Sequence, residues 1–349
     1  MKSVLQALVF TLVAVLAFSV GAAAAAEDLK EITLGIIPTE STASAMTGFE
    51  PFRADMEKAL GIPVKLFMAP DYAGVIEAMR FNKVQIAWFG NKSAIEAVNR
   101  AEGEVFVQTV DVTGNPGYWS LIVVHKDSPH QTIEDIIRDG KNLTFGNGDP
   151  NSTSGYLIPT YYIWGQHGID PTKHFKLVRN ANHETNLMAV ANKQVDFATN
   201  NTENWDKFAK AHPDLIKNVR IIWKSPLIPS DPMVWRKDLS KEWKSRIKGF
   251  FLAYGRIGPE KDQQLAVLKG MSSGWAPFQD SSNHQLLPIM EINFAKDKMK
   301  IQNSDAMAAE AKAQKMAEID QHLVEIQLSL IHISEPTRQL MSSRMPSSA

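Results

Sequence analysis

The chain has 349 residues, with 37 Lys and Arg against 38 Asp and Glu, a formal charge of −1, and no cysteine. So even a balance offers no basic field for nucleic acid, and without thiols neither a disulfide nor a thiolate metal site can form. The length exceeds what one undivided core usually fills, so two lobes of roughly 100 to 150 residues are expected.

Lys2 precedes an apolar run, Val4 to Gly21, that leads to Ala24-Ala25-Ala26 before Glu27. A positive start, an apolar stretch at the lower edge of spanning length and small residues at the exit read as a secretory signal over residues 1–26, with a transmembrane anchor as the alternative. No cysteine precedes the cleavage pattern, which excludes a lipid-anchored form.

Glu31 to Ile37 reads as a buried strand stopped by Pro38. Helical spacing follows over Phe52–Leu60, strand character over Val64–Ala69, then helix Ala73–Phe81, strand Gln85–Phe89, helix Ser93–Arg100 and strand Val105–Val110. Alternation of this kind predicts an α/β fold with mostly parallel sheets flanked by helices. Tyr118–His125 is β-rich and suits a crossover into a second lobe, whose own alternation runs Ile133–Arg138, Leu143–Phe145, Gly155–His167, Lys176–Val178, Glu184–Ala191, Asp196–Thr199 and Glu203–Ala211. Val219–Trp223 carries the chain back, and two crossings imply a hinge. Lys241–Tyr254 and Gln263–Leu268 read as helices that cover the first lobe.

The expected division is therefore a discontinuous first lobe, residues 27–120 and 225–303, a second lobe, residues 121–224, and a C-terminal helix, residues 304–327. From Leu328 the string Leu330-Ile331-His332-Ile333-Ser334-Glu335-Pro336-Thr337-Arg338 resembles a translated sequencing adapter. Residues 328–349 are set aside as a non-native tail.

The most informative motif is Gly146-Asn147-Gly148-Asp149-Pro150-Asn151-Ser152-Thr153-Ser154-Gly155, a polar turn after a strand with three hydroxyls opening a helix. Unpaired N–H groups and the positive end of a helix dipole favour an anion there, and hydroxyls add donors without charge. The same residues also serve as ordinary helix caps. The motif is not a Walker loop, because no Gly-Lys-Ser or Gly-Lys-Thr follows, and Asn151 breaks a dinucleotide fingerprint.

His183-Glu184-Thr185-Asn186-Leu187 lacks the second histidine of a metalloprotease; His183 is either an oxyanion donor or a cap. Glu203 follows a strand end, where open α/β sheets place ligand contacts, and Asp231 follows the second crossing. Each is a cap or a solvated charge alone, and a cation holder if both face one cleft. Tyr72 and Tyr118 fit either a core or a cleft edge, where a phenol can donate to an anion.

Beyond these local readings, several strings resemble the periplasmic phosphonate-binding proteins of ABC importers. They include Ala69-Pro70-Asp71-Tyr72-Ala73-Gly74, Gly117-Tyr118-Trp119-Ser120, Asn147 through Gly155, Asn200-Asn201-Thr202-Glu203-Asn204 and Ser225-Pro226-Leu227-Ile228-Pro229, within residues 30–290. The resemblance implies a two-lobed periplasmic binding fold of type II with two crossover strands, a periplasmic location, no cofactor and no metal. It also implies an ABC permease and its ATPase in the inner membrane as partners. By that resemblance Ser152, Thr153, Ser154 and His183 bind the phosphonate oxygens and Tyr118 adds a contact. Tyr72 encloses the ligand, and Glu203 and Asp231 receive the ammonium of 2-aminoethylphosphonate. Phe89 stands where the family pattern has tyrosine, which bears only on local packing.

Other readings are a binder of phosphite, phosphate or another small oxyanion, or a ligand-sensing module that presents its closed form to a receptor. A secreted hydrolase finds no support in a metal-ligand cluster, a Gly-x-Ser-x-Gly elbow or a nucleophile-base pair.

Overall fold

A computed structural model describes residues 29–304 and 307–342. The segment 1–26, read as an export signal, lies outside the described residues, as do residues 343–349 of the terminal string. Strands β1 (Ile32–Ile36), β2 (Val64–Met68), β3 (Ile86–Trp88) and β4 (Gly103–Asp111) alternate with helices Thr42–Leu60, Tyr72–Arg80 and Asn91–Arg100. β5 (Gly117–Tyr118) crosses to β6 (Ser120–His125), β7 (Thr144–Asn147), β8 (Leu177–Asn180), β9 (Phe197–Asn201) and β10 (Val219–Lys224). β11 (Ile228–Pro229) crosses back to β12 (Pro232–Arg236) and β13 (Trp275–Asp280).

Two sheets result, ordered β13-β4-β12-β3-β1-β2 and β10-β6-β9-β7-β8, each flanked by helices. Both are mixed: β2-β1-β3 and β8-β7-β9 are parallel, and the remaining ladders are antiparallel. The antiparallel share exceeds what the βα alternation suggested. Its cause is β12, which returns from the crossing and inserts between β3 and β4 in the opposite direction. That insertion positions the site, because Asp231, the residue before β12, then lies at the same sheet edge as the end of β3.

Each sheet buries its own aromatic core. Trp88 stacks on Phe49 at 5.8 Å between ring centroids and meets Trp275 edge-on at 5.3 Å, while Phe106 and Trp235 stack at 4.2 Å. In the second lobe Phe145 stacks on Phe197 at 4.5 Å, with Trp164 and Phe175 edge-on or tilted around them. Such pairs add about 0.5–1.5 kcal/mol each beyond burial.

Several elements differ from the sequence expectation; the return crossing is one, since Val219–Lys224 belongs to the second sheet and Ile228–Pro229 carries the chain back. The first crossing is shorter: only Gly117–Tyr118 spans the hinge, and Ser120–His125 belongs to the second sheet. The helix expected over Gly155–His167 is wound as two π-turns, Thr153–Leu157 and Thr160–Gly165, on either side of Pro159, which has no N–H for an ordinary ladder. The first helix starts ten residues early, at Thr42, because the Ser41 hydroxyl caps the Ser44 N–H and Pro51 is tolerated inside it. The last helix runs Ala309–Ser342 rather than ending at Gln327; neither Gly nor Pro interrupts residues 309–335, and the helix continues past Pro336.

β5 and β11 pair antiparallel, Tyr118 with Ile228 and Gly117 with Pro229, so the two crossings form one ribbon. A Cβ on Gly117 would lie 1.9 Å from the Ile228 carbonyl oxygen, a contact only backbone movement can relieve. Gly117→Ala is therefore expected to destabilise the protein by about 1–3 kcal/mol in urea unfolding, as overpacking against backbone does. An unchanged midpoint would contradict the role of this close approach.

Candidate functional site

The C-terminal ends of β1, β3, β7 and β9 open on the gap between the lobes, where open α/β sheets gather ligand contacts. Tyr72, Tyr118, Ser152, Thr153, Ser154, His183, Glu203 and Asp231, the residues singled out from the sequence, all line one narrow cavity there. Asn201, Asn204, Trp88, Thr39 and Gly90 complete much of its wall, and no Lys or Arg is among the lining residues. A second hollow, lined by Leu60, Arg246, Phe250 and Tyr254 on the first lobe, has no comparable polar cluster.

One end of the cavity is built from donors. After β7 the chain turns so tightly that a Cβ on Gly148 would lie 2.5 Å from the Gly155 backbone, and the Gly148 N–H donates to the Gly155 carbonyl at 3.0 Å. That turn presents Ser152, Thr153 and Ser154 at the start of the π-wound segment, all essentially buried. The Ser152 hydroxyl accepts the Gly155 N–H at 3.0 Å and lies beside the Tyr72 phenol. Thr153 Oγ1 accepts the Lys92 N–H from the other lobe at 2.9 Å. Ser154 Oγ accepts from Asn201 Nδ2 at 3.0 Å.

His183 enters the same end from the first turn of the helix His183–Ala191, which Asn182 caps. Burial alone pushes its pKa down to about 4, so the ring is neutral at physiological pH. Its Nδ1 is buried without a hydrogen-bond partner among the described residues. Orphaned buried nitrogens are rare in native proteins and point to an absent partner.

The other end is acidic. Asp231 is buried and accepts the Tyr118 hydroxyl at 2.9 Å, while Glu203 projects from the first turn of the helix Thr202–Ala211 and keeps partial exposure. Burial pushes the Asp231 carboxyl up to about 7 against the opposing effects of Tyr118 and Trp88. Burial likewise raises Glu203 well above the carboxylate range, reinforced by Asp231, Asp111 and Asp206. The Trp88 indole N–H lies near enough to favour the charged form of Asp231, yet it makes no hydrogen bond of good geometry. Tyr118 stays protonated because of its burial and these acids. Among the described residues no group of three or more His, Asp or Glu is arranged to hold a metal ion.

Polar bonds cross the gap outside the cavity. Ser41 donates its N–H to Glu184 at 2.7 Å, and Lys207 meets the buried Glu40 at 2.5 Å. Tyr72 donates its N–H to Asp149 at 3.2 Å. The lobes are thus closed on each other, and the cavity is shielded.

Sequence reasoning placed the hydroxyl triplet and both carboxylates but gave no role to Asn201, Trp88, Thr39 or Glu40. Thr39 and Glu40 follow the end of β1, so the strand-end rule applied to every parallel strand would have flagged them. Asn201 and Trp88 act through partners on other strands, which local sequence does not reveal.

Comparison with known proteins bears on what this cleft serves. Residues 34–286 match the family described as ABC transporter, phosphonate, periplasmic substrate-binding protein. The phosphonates-binding periplasmic protein of Escherichia coli K12 is 49% identical over 320 residues, 92% of this chain and 93% of that one. A crystal structure of a binding protein component of an ABC phosphonate transporter from Pseudomonas aeruginosa superposes with a TM-score of 0.83 at 47% identity. It covers 88% of this chain and all of that one. A probable ABC transporter phosphite binding protein of Prochlorococcus marinus is 26% identical over 216 residues, 60% of this chain and 71% of that one. The chain belongs to the periplasmic phosphonate-binding proteins of ABC transporters, a family that binds its substrate for import and is not enzymatic.

Proposed function

We propose that the ligand is 2-aminoethylphosphonate, held with its phosphonate on the donor end and its ammonium on the acidic end. The observation that carries this reading is the pair Glu203 and Asp231, two acids lining a cation-free cavity whose other end offers hydroxyls and a neutral imidazole. In this reading Ser152, Thr153, Ser154 and His183 hold the phosphonate oxygens, Tyr118 adds a contact to the same group and Tyr72 closes the wall. Residues 1–26 direct export to the periplasm, and the closed form docks on an ABC permease served by its ATPase.

Charge complementarity explains why both ends can stay buried. A closed site excludes water and strengthens charge-assisted hydrogen bonds, worth roughly 1.5–3 kcal/mol each. The ligand's ammonium removes the reason for the acids to stay protonated. Binding of the aminated ligand below about pH 7 therefore releases protons, whereas a simple oxyanion gains nothing from ionised acids. A second reading, phosphite or phosphate binding, draws on the phosphite-binding relative and needs the acids to remain protonated beside the anion.

Glu203→Gln is expected to weaken binding of 2-aminoethylphosphonate by about 2–5 kcal/mol, as when one partner of a buried charge pair is removed, and to leave methylphosphonate nearly unchanged. Calorimetric titration decides, and equal losses for both ligands would rule out the ammonium assignment. Across about pH 5 to 8, affinity for the aminated ligand should rise relative to methylphosphonate once each affinity is corrected for that ligand's own phosphonate ionisation. A flat ratio would contradict proton release from the acidic pair.

The ligand-free protein should carry the opposite signature. The folded state holds a proton on Asp231 up to about pH 7 that the unfolded chain releases near 3.8. This group's contribution is thus greatest below pH 3.8 and is lost as pH rises toward 7. His183, lowered from 6.5 to about 4, acts the other way over much of the window. Melting temperatures of the wild type and Asp231→Asn separate the two: the difference between them should shift against the wild type as pH rises from about 4 to 7. A constant difference would mean that Asp231 is not raised.

A further inference from the structure

We propose that Asn201 is a positioning residue that presets the anion end for a fully deprotonated oxyanion by aiming the Ser154 hydroxyl and the His183 Nδ1–H into the cavity. The inference rests on the reading of that end as the phosphonate-oxygen site and adds how its donors are oriented.

Backbone geometry fixes the direction of the Asn201 amide. Its Oδ1 accepts the Asn204 N–H at 2.7 Å, the cap of the helix Thr202–Ala211, and a backbone nitrogen can only donate. The Nδ2 group is therefore turned the other way, toward Ser154 Oγ at 3.0 Å and His183 Nε2 at 3.4 Å. An amide nitrogen has two hydrogens and no acceptor capacity. Both partners must accept from it.

Acceptance at His183 Nε2 sets the tautomer, because a neutral imidazole that accepts at one nitrogen carries its proton on the other. That nitrogen is Nδ1, buried and without a partner among the described residues. Acceptance at Ser154 uses one lone pair of its oxygen and leaves the O–H free, and among the described residues the hydroxyl donates to no other group. Thr153 is arranged alike: its oxygen accepts the Lys92 N–H, and its own hydrogen is unassigned among the described residues. Three donors thus line the same end of the cavity, two of them with one lone pair already used. At the His183 Nδ1–H an oxygen that carries its own proton meets an opposing hydrogen, and at the hydroxyls it finds one lone pair already used, whereas a bare oxyanion accepts from all three.

The test reads the tautomer directly in the ligand-free protein, by the two ring nitrogen-15 shifts of His183, assigned by their loss in His183→Gln. The expected wild-type result is a neutral ring protonated on Nδ1. Asn201→Ser keeps a capping hydroxyl, adds no charge and is too short to reach both partners. It should lose the single Nδ1–H form and bind methylphosphonate about tenfold more weakly, the effect of misdirecting a donor to a charged group. A wild-type ring protonated on Nε2 would overturn the proposal, and so would retention of a pure Nδ1–H form in Asn201→Ser. If the tautomer is as expected but wild type fails to bind methylphosphonate, the preset stands and the assignment of this end to phosphonate oxygens fails.

Discussion

Glu203 and Asp231 reach one shielded cavity that contains no lysine or arginine, and the electrostatics of the whole cleft depend on how that acidity is compensated. Shielding carboxylates from water without a counter-charge costs several kcal/mol for a fully buried ion, so proton uptake is the cheaper response where no cation is at hand. The raised carboxyls of both residues express this. A ligand that brings a cation to the acids and an anion to the donors satisfies both ends in one step, which is the physical basis for favouring an aminoalkylphosphonate over a simple oxyanion.

The fold supplies two sheet-centred halves and a narrow two-stranded connection. Asp231 reaches the cleft because β12 inserts antiparallel beside β3, and Tyr118 reaches Asp231 because β5 pairs with β11 in the hinge ribbon itself. The hinge is therefore part of the site. Bonds outside the cavity, Lys207 with Glu40 and Ser41 with Glu184, favour closure without regard to ligand type. Discrimination between ligands must then come from contacts inside, since only interactions that differ between ligands or between states shift the balance.

Much of this could be read from the chain. The βα alternation is carried by short apolar runs separated by helical periodicity, and the run of Ser152, Thr153 and Ser154 after a strand end specifies a donor-rich turn. Less legible were elements whose identity depends on distant partners. β12 has five residues, opens with Pro232 and is buried along its length, so it lacks the alternation that marks a strand. The crossings are two residues each and carry no periodicity. The role of Asn201 depends on the Asn204 N–H on one side and on Ser154 and His183 on the other. No local pattern encodes a hydrogen-bond partner 47 residues away.

The most direct test of the charge-complementary cleft is a parallel calorimetric titration of the protein with 2-aminoethylphosphonate, methylphosphonate, phosphite and phosphate. Tightest binding of the aminated ligand is the expected result, with methylphosphonate weaker. If phosphite or phosphate bound best, the donor end would keep its role, and the assignment of Glu203 and Asp231 to a ligand ammonium would be contradicted.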